Sequence, residues 1–178
     1  MVALMRDKAG GATLPVTVGS MADTHLELQF SLVYLVYNTI TNLLTQDEQV
    51  ECFINAARHL QPSGKFLIEV GVPTVASAIN QTANHSANST TLSVFDLSPE
   101  HVGIDEYDAV NQILVSHHIW FDGDNTERFD SAHRYAWPAE YDLMARIAGL
   151  KLAHRWGDWD GTPFTSDSPK HISVWQKV

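Results

Sequence analysis

Residues 30–70 carry the pattern that most narrows what this chain can fold into. An apolar run over 30–37 (Phe-Ser-Leu-Val-Tyr-Leu-Val-Tyr) shows no polar alternation and so predicts a strand covered on both faces. Thr45-Gln46-Asp47-Glu48 then forms a capping box, and Val50, Phe53, Ile54, Ala57 and Leu60 recur at helical spacing behind it. Pro62-Ser63-Gly64 stops that helix, and residues 65–70 (Lys-Phe-Leu-Ile-Glu-Val) read as a second buried strand. A strand, a crossover helix and a parallel strand make a right-handed unit, which sets the class as α/β.

The flanking segments extend this unit. Val2, Leu4 and Met5, followed by Arg6, Asp7, Lys8 and Gly10-Gly11, read as the last turns of a helix with a glycine stop. No N-cap residue precedes them, so the chain is expected to open in the middle of an element. Residues 15–19 (Pro-Val-Thr-Val-Gly) are a short strand candidate, expected like 30–37 to be a parallel core strand. Residues 74–91 are rich in Ala, Asn, Ser and Thr with neither charge nor apolar period, and are expected to form a mobile loop or lid. The Asn-x-Ser/Thr triplets beginning at Asn80, Asn84 and Asn88 are frequent by chance in such a composition, so glycosylation is not expected.

Residues 92–137 read as a β-rich insertion, with strands at 91–97, 112–121 and 128–137 and turn chemistry at Asp122-Gly123-Asp124-Asn125. Antiparallel hairpins added to a parallel core are the expectation. Pro138 opens a helix through Tyr141, Leu143, Met144 and Ile147 that Gly149 stops. Strands at 151–156 and 171–175, joined by a polar loop, close the chain as a hairpin. The whole of 1–178 is read as a single domain.

Composition excludes several partners. With 178 residues, 44% of them hydrophobic, the chain can bury one sizeable core without disulfides or metals. Its formal net charge of -10 repels phosphate backbones and anionic membranes, so neither nucleic acid nor membrane is an expected partner. The single cysteine, Cys52, excludes an internal disulfide and reads as a buried structural thiol in a reducing compartment. No apolar run approaches the roughly 18 residues of a membrane span, and no signal-peptide pattern opens the chain. The expectation is a soluble, cytoplasmic protein.

Three stretches, taken in order, carry a resemblance. Val18-Gly19-Ser20-Met21-Ala22-Asp23 is similar to a strand end written Gly-Asp-Met that holds an adenine ring. Phe30-Ser31-Leu32-Val33-Tyr34, running into Tyr37-Asn38-Thr39, resembles a central strand and the loop bordering cofactor and substrate. Ala56-Ala57-Arg58-His59-Leu60-Gln61-Pro62-Ser63-Gly64-Lys65-Phe66 is close to a Leu-x-Pro-Gly-Gly junction. Together with Tyr135-Ala136-Trp137-Pro138 and Arg155-Trp156-Gly157-Asp158-Trp159, they make the chain resemble the C-terminal part of a class I (Rossmann-like) S-adenosylmethionine-dependent methyltransferase acting on a small molecule. The resemblance implies an incomplete, mostly parallel sheet ending in a β-hairpin, with an antiparallel β insertion. It implies a surviving cofactor edge at Gly19, Ser20, Met21, Tyr37, Asn38 and Thr39.

Two departures qualify that implication. No Gly-x-Gly-x-Gly loop stands upstream of Val16, and Ser20 replaces the usual aspartate. In a doubly wound fold the glycine loop and the helix N-terminus supply most of the cofactor grip, so binding of S-adenosylmethionine is expected to be weak or absent in this chain. An uncovered strand edge would favour association, and a homodimer is expected. The rival reading is a non-catalytic dimeric remnant that serves as an interaction protein; a third is a different small α/β enzyme.

No residue is singled out as the group that takes up the acceptor proton. Asn38 and Thr39 read equally as a plain turn, and Ser20 as a helix cap. His117 and His118, adjacent on a strand, face opposite sides and cannot share a metal, and no metal site is expected. Trp156, Trp159 and Trp175 read as core, or as the lining of an aromatic pocket.

Overall fold

The computed structural model describes residues 2–73 and 91–178, with Thr91 described by its backbone. In chain order the elements are α1 (Val2–Arg6), β1 (Phe30–Leu35), α2 (Gln46–Arg58), β2 (Leu60–Gly71), β3 (Thr91–Leu97), β4 (His101–Asp108), β5 (Ile113–Asp122), β6 (Asn125–Arg134), α3 (Pro138–Ile147), β7 (Leu150–Trp156) and β8 (Lys170–Lys177). The lid expected at 74–91 falls outside the described residues apart from Thr91, which opens β3, and so do the three Asn-x-Ser/Thr triplets.

Among the described residues two four-stranded sheets form, in the orders β1-β2-β8-β7 and β3-β4-β5-β6. In the first, β1 and β2 are parallel, and β8 lies antiparallel between β2 and β7. Strands β1, β2 and β7 therefore share one direction, and β8 runs against them. This is the mixed α/β sheet that the resemblance implies, with the terminal hairpin wedged in beside its neighbours. The second sheet is an antiparallel meander throughout.

The core forms where α2 and α3 cover one face of the first sheet. Thr45 caps α2 by a complete capping box, its Oγ1 accepting from the Glu48 amide while the Glu48 carboxylate takes the Thr45 amide. That cap fixes the helix phase and turns Cys52, Phe53, Ala56 and Ala57 inward. Phe53 meets Phe66 of β2 edge to face at 5.0 Å and Trp175 of β8 at 5.3 Å, and all three rings are fully buried. Each ring contributes on the order of 1.5–3 kcal/mol relative to exposure. Cys52 sits in this core, and burial pushes its thiol up to about 12, as befits a structural thiol. Pro138 stands at the start of α3, and Gly149 ends it at a φ of 72°, where a Cβ would be strained.

Several expectations are corrected. Residues 15–19 form no strand, because among the described residues the strand paired with β1 is β2 alone. Nor is β1 covered on both faces. Val33 and Leu35 pack on the core, whereas Phe30, Leu32 and Tyr34 are 36%, 47% and 61% exposed. An unbroken apolar run does not distinguish one-sided from two-sided burial. Strand β2 begins at Leu60 rather than Lys65, with Pro62-Ser63-Gly64 absorbed where the β1 register slips. Strand β4 was not anticipated, and β6 occupies Asn125–Arg134 rather than 128–137. Trp175 is core, Trp159 is exposed and Trp156 stacks on His154 at 4.9 Å.

Candidate active site

The carboxyl ends of parallel strands are where open α/β sheets bind ligands. Here the chain leaves β1 through two consecutive left-handed residues, Tyr37 and Asn38, each with a φ of 59°. That conformation costs a non-glycine residue about 1–2 kcal/mol, so it persists only when its surroundings over-determine it. They do. The Tyr37 amide donates to Glu69 Oε2 at 3.0 Å, Asn38 Oδ1 accepts from the Gly71 amide at 2.7 Å, and the Asn38 amide donates to the Glu69 carbonyl at 3.2 Å. Thr39 Oγ1 donates to the Val36 carbonyl at 2.5 Å, and Thr41 Oγ1 donates to the Asn38 carbonyl at 2.8 Å. Glu69 is itself held by the Trp159 indole at 3.0 Å and lies 3.6 Å from Lys170 Nζ.

The meander stands opposite this turn, and a cavity of about 540 Å³ lies between them. Strand alternation sends Asp105, Ser116, His118 and His133 to the cavity side, and the register pairs Asp105 with Ser116 and Leu114 with His133. Ser116 Oγ donates to Asp105 Oδ1 at 2.6 Å. His133 Nδ1 lies 3.2 Å from Thr41 Oγ1, and its Nε2 lies 3.0 Å from Ser131 Oγ. Because the Thr41 hydroxyl spends its one proton on Asn38, it accepts from His133; Nδ1 therefore carries the ring proton and Nε2 accepts from Ser131. Burial lowers the His133 pKa, with His118 adding to the fall against Asp105, which keeps the ring neutral near pH 7.

The wall is fastened to the core by a buried polar knot. Arg134, the last residue of β6, donates to Gln49 Oε1 at 2.6 Å and to Glu140 Oε1 at 2.6 Å. Glu140 also accepts from Gln112 and Gln46, each at 2.8 Å, and Gln49 reaches back to the Arg134 carbonyl at 3.0 Å. Burial raises the Glu140 pKa, but its hydrogen bonds from Gln112, Arg134 and Gln46 outweigh that and hold it below the ordinary value.

His117 and His118 face opposite sides, as adjacency requires: His117 bonds Asp130 and Glu106, and His118 bonds His101. Hydrogen bonds that His117 donates to Asp130 and then to Glu106 raise its pKa. Among the described residues no three His, Cys, Asp or Glu gather as a metal site.

The six residues implied by resemblance are distributed over two cavities. Tyr37 and Asn38 line the one just described, with Thr39 buttressing their turn. Gly19, Ser20 and Met21 line a second cavity of about 560 Å³ against Cys52, Asn55 and His59 of the α2 end. There Asn55 Nδ2 donates to the Met21 and Thr24 carbonyls, and Ser20 Oγ accepts from the Ala22 amide at 3.2 Å. Tyr37, Asn38 and Thr39 thus gather at one cavity, and Gly19, Ser20 and Met21 at another. Asp105, Ser116 and His133 had no signal in the sequence, because only the register of a meander brings them to the turn.

No family model matches the chain, but individual known proteins do. It is 27% identical over 161 residues to the cypemycin N-terminal methyltransferase of a Streptomyces species, spanning 89% of this chain and 63% of that protein's length. Its fold superposes with a TM-score of 0.61 on the glycopeptide N-methyltransferase MtfA complexed with S-adenosylhomocysteine, at 12% identity over 99% of this chain and 66% of that one, a likeness of fold alone. With the CcbJ methyltransferase of Streptomyces caelestis the TM-score is 0.82 and the identity 30%, over 99% of this chain and 68% of the other. A likeness that deep, over nearly the whole chain, places it in the class I S-adenosylmethionine-dependent methyltransferases.

Proposed function

We propose that this chain forms the acceptor side of a methyltransferase that transfers the S-adenosylmethionine methyl group to an amine of a small molecule. The observation that carries the reading is the cavity between the Tyr37-Asn38 turn and the Asp105, Ser116 and His133 wall, at the carboxyl end of the parallel strands. Methyl transfer needs alignment of the nucleophile more than covalent help. The Asp105 carboxylate suits an amine as hydrogen-bond acceptor, and the net charge of -10 draws cationic amines toward the protein. Neutral His133, reached through Ser131, suits removal of the proton that the amine must lose. The cypemycin relative, named for an N-terminal methylation, supports an amine over an alcohol.

We infer that cofactor affinity in this chain is low, because Ser20 stands where the family usually has an aspartate and its hydroxyl already accepts from the Ala22 amide. Incubation with methyl-tritiated S-adenosylmethionine and a panel of amino sugars and peptide amines tests the reading: label should appear in an amine at millimolar donor, and His133→Asn should abolish it. No label in any amine would refute it. A micromolar dissociation constant in calorimetry would refute the weakened grip. The open edge of β1, with its exposed Phe30, Leu32 and Tyr34, supports a homodimer. A monodisperse monomer in sedimentation at micromolar concentration is the contrary result.

A further inference from the structure

The cavity face of the meander is laid out in rows. Register sets Asp105, Ser116 and Ser131 side by side across β4, β5 and β6. His133 follows two residues beyond Ser131 on β6, and His118 two residues beyond Ser116 on β5, which runs the other way. The two histidines therefore flank the Asp105 row from opposite sides, each about 7 Å along its strand. His133 has both ring nitrogens engaged, by Thr41 and Ser131, whereas His118 has one to spare.

A chain of hydrogen bonds specifies which nitrogen is spare. Asp96 Oδ2 accepts from His101 Nδ1 at 2.8 Å, which leaves His101 Nε2 to accept from His118 Nδ1 at 3.1 Å. Neutral His118 thus carries its proton on Nδ1 and presents a bare lone pair at Nε2. Among the described residues no hydrogen bond reaches that atom, on a side chain that lines the cavity. The His101 side chain is only 15% exposed, so water competes little for the middle link. The rings of His101, His118 and Trp120 stack on one another at interplanar angles of 16°, 23° and 7°, and Phe95 meets His118 edge to face at 5.3 Å. Packed on its faces and tied at its edge, the His118 ring is held with Nδ1 on His101.

Resting on the methyltransferase reading of the cavity, we propose that His118 Nε2 accepts a hydrogen bond from the ammonium group of the methyl acceptor beside the Asp105 carboxylate, and that the two together select an amine over an alcohol. His118 binds the acceptor, and Asp96 and His101 are positioning residues that act through it. Two acceptors on neighbouring rows suit a cationic group with several N–H donors. A hydroxyl has one proton to give and would leave one of the two unpaired, which is the strongest ground on which a site rejects an isostere.

Proton–nitrogen correlation NMR of the full chain with isotopically labelled histidine tests this without any methyl transfer. At about pH 7.5, where ordinary imidazoles are neutral, His118 should show the Nδ1-protonated tautomer, and His101→Phe should shift it toward the Nε2-protonated form. Millimolar D-glucosamine should move the His118 Nε2 resonance, and D-glucose at the same concentration should not. In turnover, His118→Ala and His101→Phe should each raise KM for an amine acceptor about tenfold or more, with a smaller change in kcat. An Nε2-protonated His118 in the parent, equal responses to the two sugars, no response to glucosamine, or a parental KM in His118→Ala overturns the proposal. Glucosamine binding at His118 in a chain that labels no amine would instead overturn the methyltransferase reading of the cavity.

Discussion

Replacing Glu140 with Gln tests whether the polar knot fastens the meander to the core. The Arg134 and Glu140 side chains are only 5% and 15% exposed and meet at 2.6 Å. Removing one partner of a buried pair leaves the other charge uncompensated, which costs about 3–5 kcal/mol. Residual exposure of the carboxylate puts this case near about 3 kcal/mol. For a chain of this size 1 kcal/mol moves the melting temperature by about 2–4 °C, so Glu140→Gln should melt about 6–12 °C below the parent.

Thermal unfolding followed by tryptophan fluorescence reads this directly, with Arg134→Met and the double variant completing a cycle. The double variant should be less damaged than the sum of the singles, giving a coupling of about 1.5 kcal/mol or more. Because the folded-state pKa of Glu140 is held below its unfolded value, its contribution is present above about pH 4.3 and lost as pH falls through the folded value. The gap between parent and variant should therefore narrow in acid. A variant melting within about 1 °C of the parent at neutral pH would refute the reasoning.

Other perturbations have definite expected outcomes. Asn38→Ala removes the clip on the Gly71 amide and forces alanine into a left-handed conformation, so it should cost about 2 kcal/mol in urea unfolding. Asn38→Gly should cost less than Asn38→Ala. Thr45→Ala should lose about 1 kcal/mol with the cap, while Thr45→Ser should be nearly neutral in the same assay. His171 is fully buried, and burial, with Arg155 adding, pushes its pKa down to about 4. Its folded pKa lies below the unfolded value near 6.5, so stability should fall as pH drops from about 6.5 to about 4. His171→Gln should flatten the slope of urea stability against pH in that window.

What could be read from the sequence was local and periodic. The Thr45-to-Glu48 box, Pro138 at a helix start, Gly149 at a helix end and the Gly123 turn each speak through one residue type in one conformation, and each lies where expected. Strand β4 escaped because Gly103, Asp105, Glu106 and Asp108 have low strand propensity, although Val102 and Ile104 alternate with them. Residues 15–19 misled in the opposite sense, since a strand exists only once it has a ladder. At the site, the Tyr37-Asn38 turn could be reached through family likeness. His133, Ser116 and Asp105 could not, since each owes its place to cross-strand register rather than to its neighbours in the chain.

Strand β8 has a consequence for how the molecule is made. It is an interior strand whose partner β2 ends at Gly71, about a hundred residues before β8 begins at Lys170. During synthesis, Phe53 and Phe66 emerge long before Trp175 can meet them. The nascent polypeptide therefore carries a half-built aromatic cluster while the whole meander is translated, and this interval is when chaperones would have most to shield.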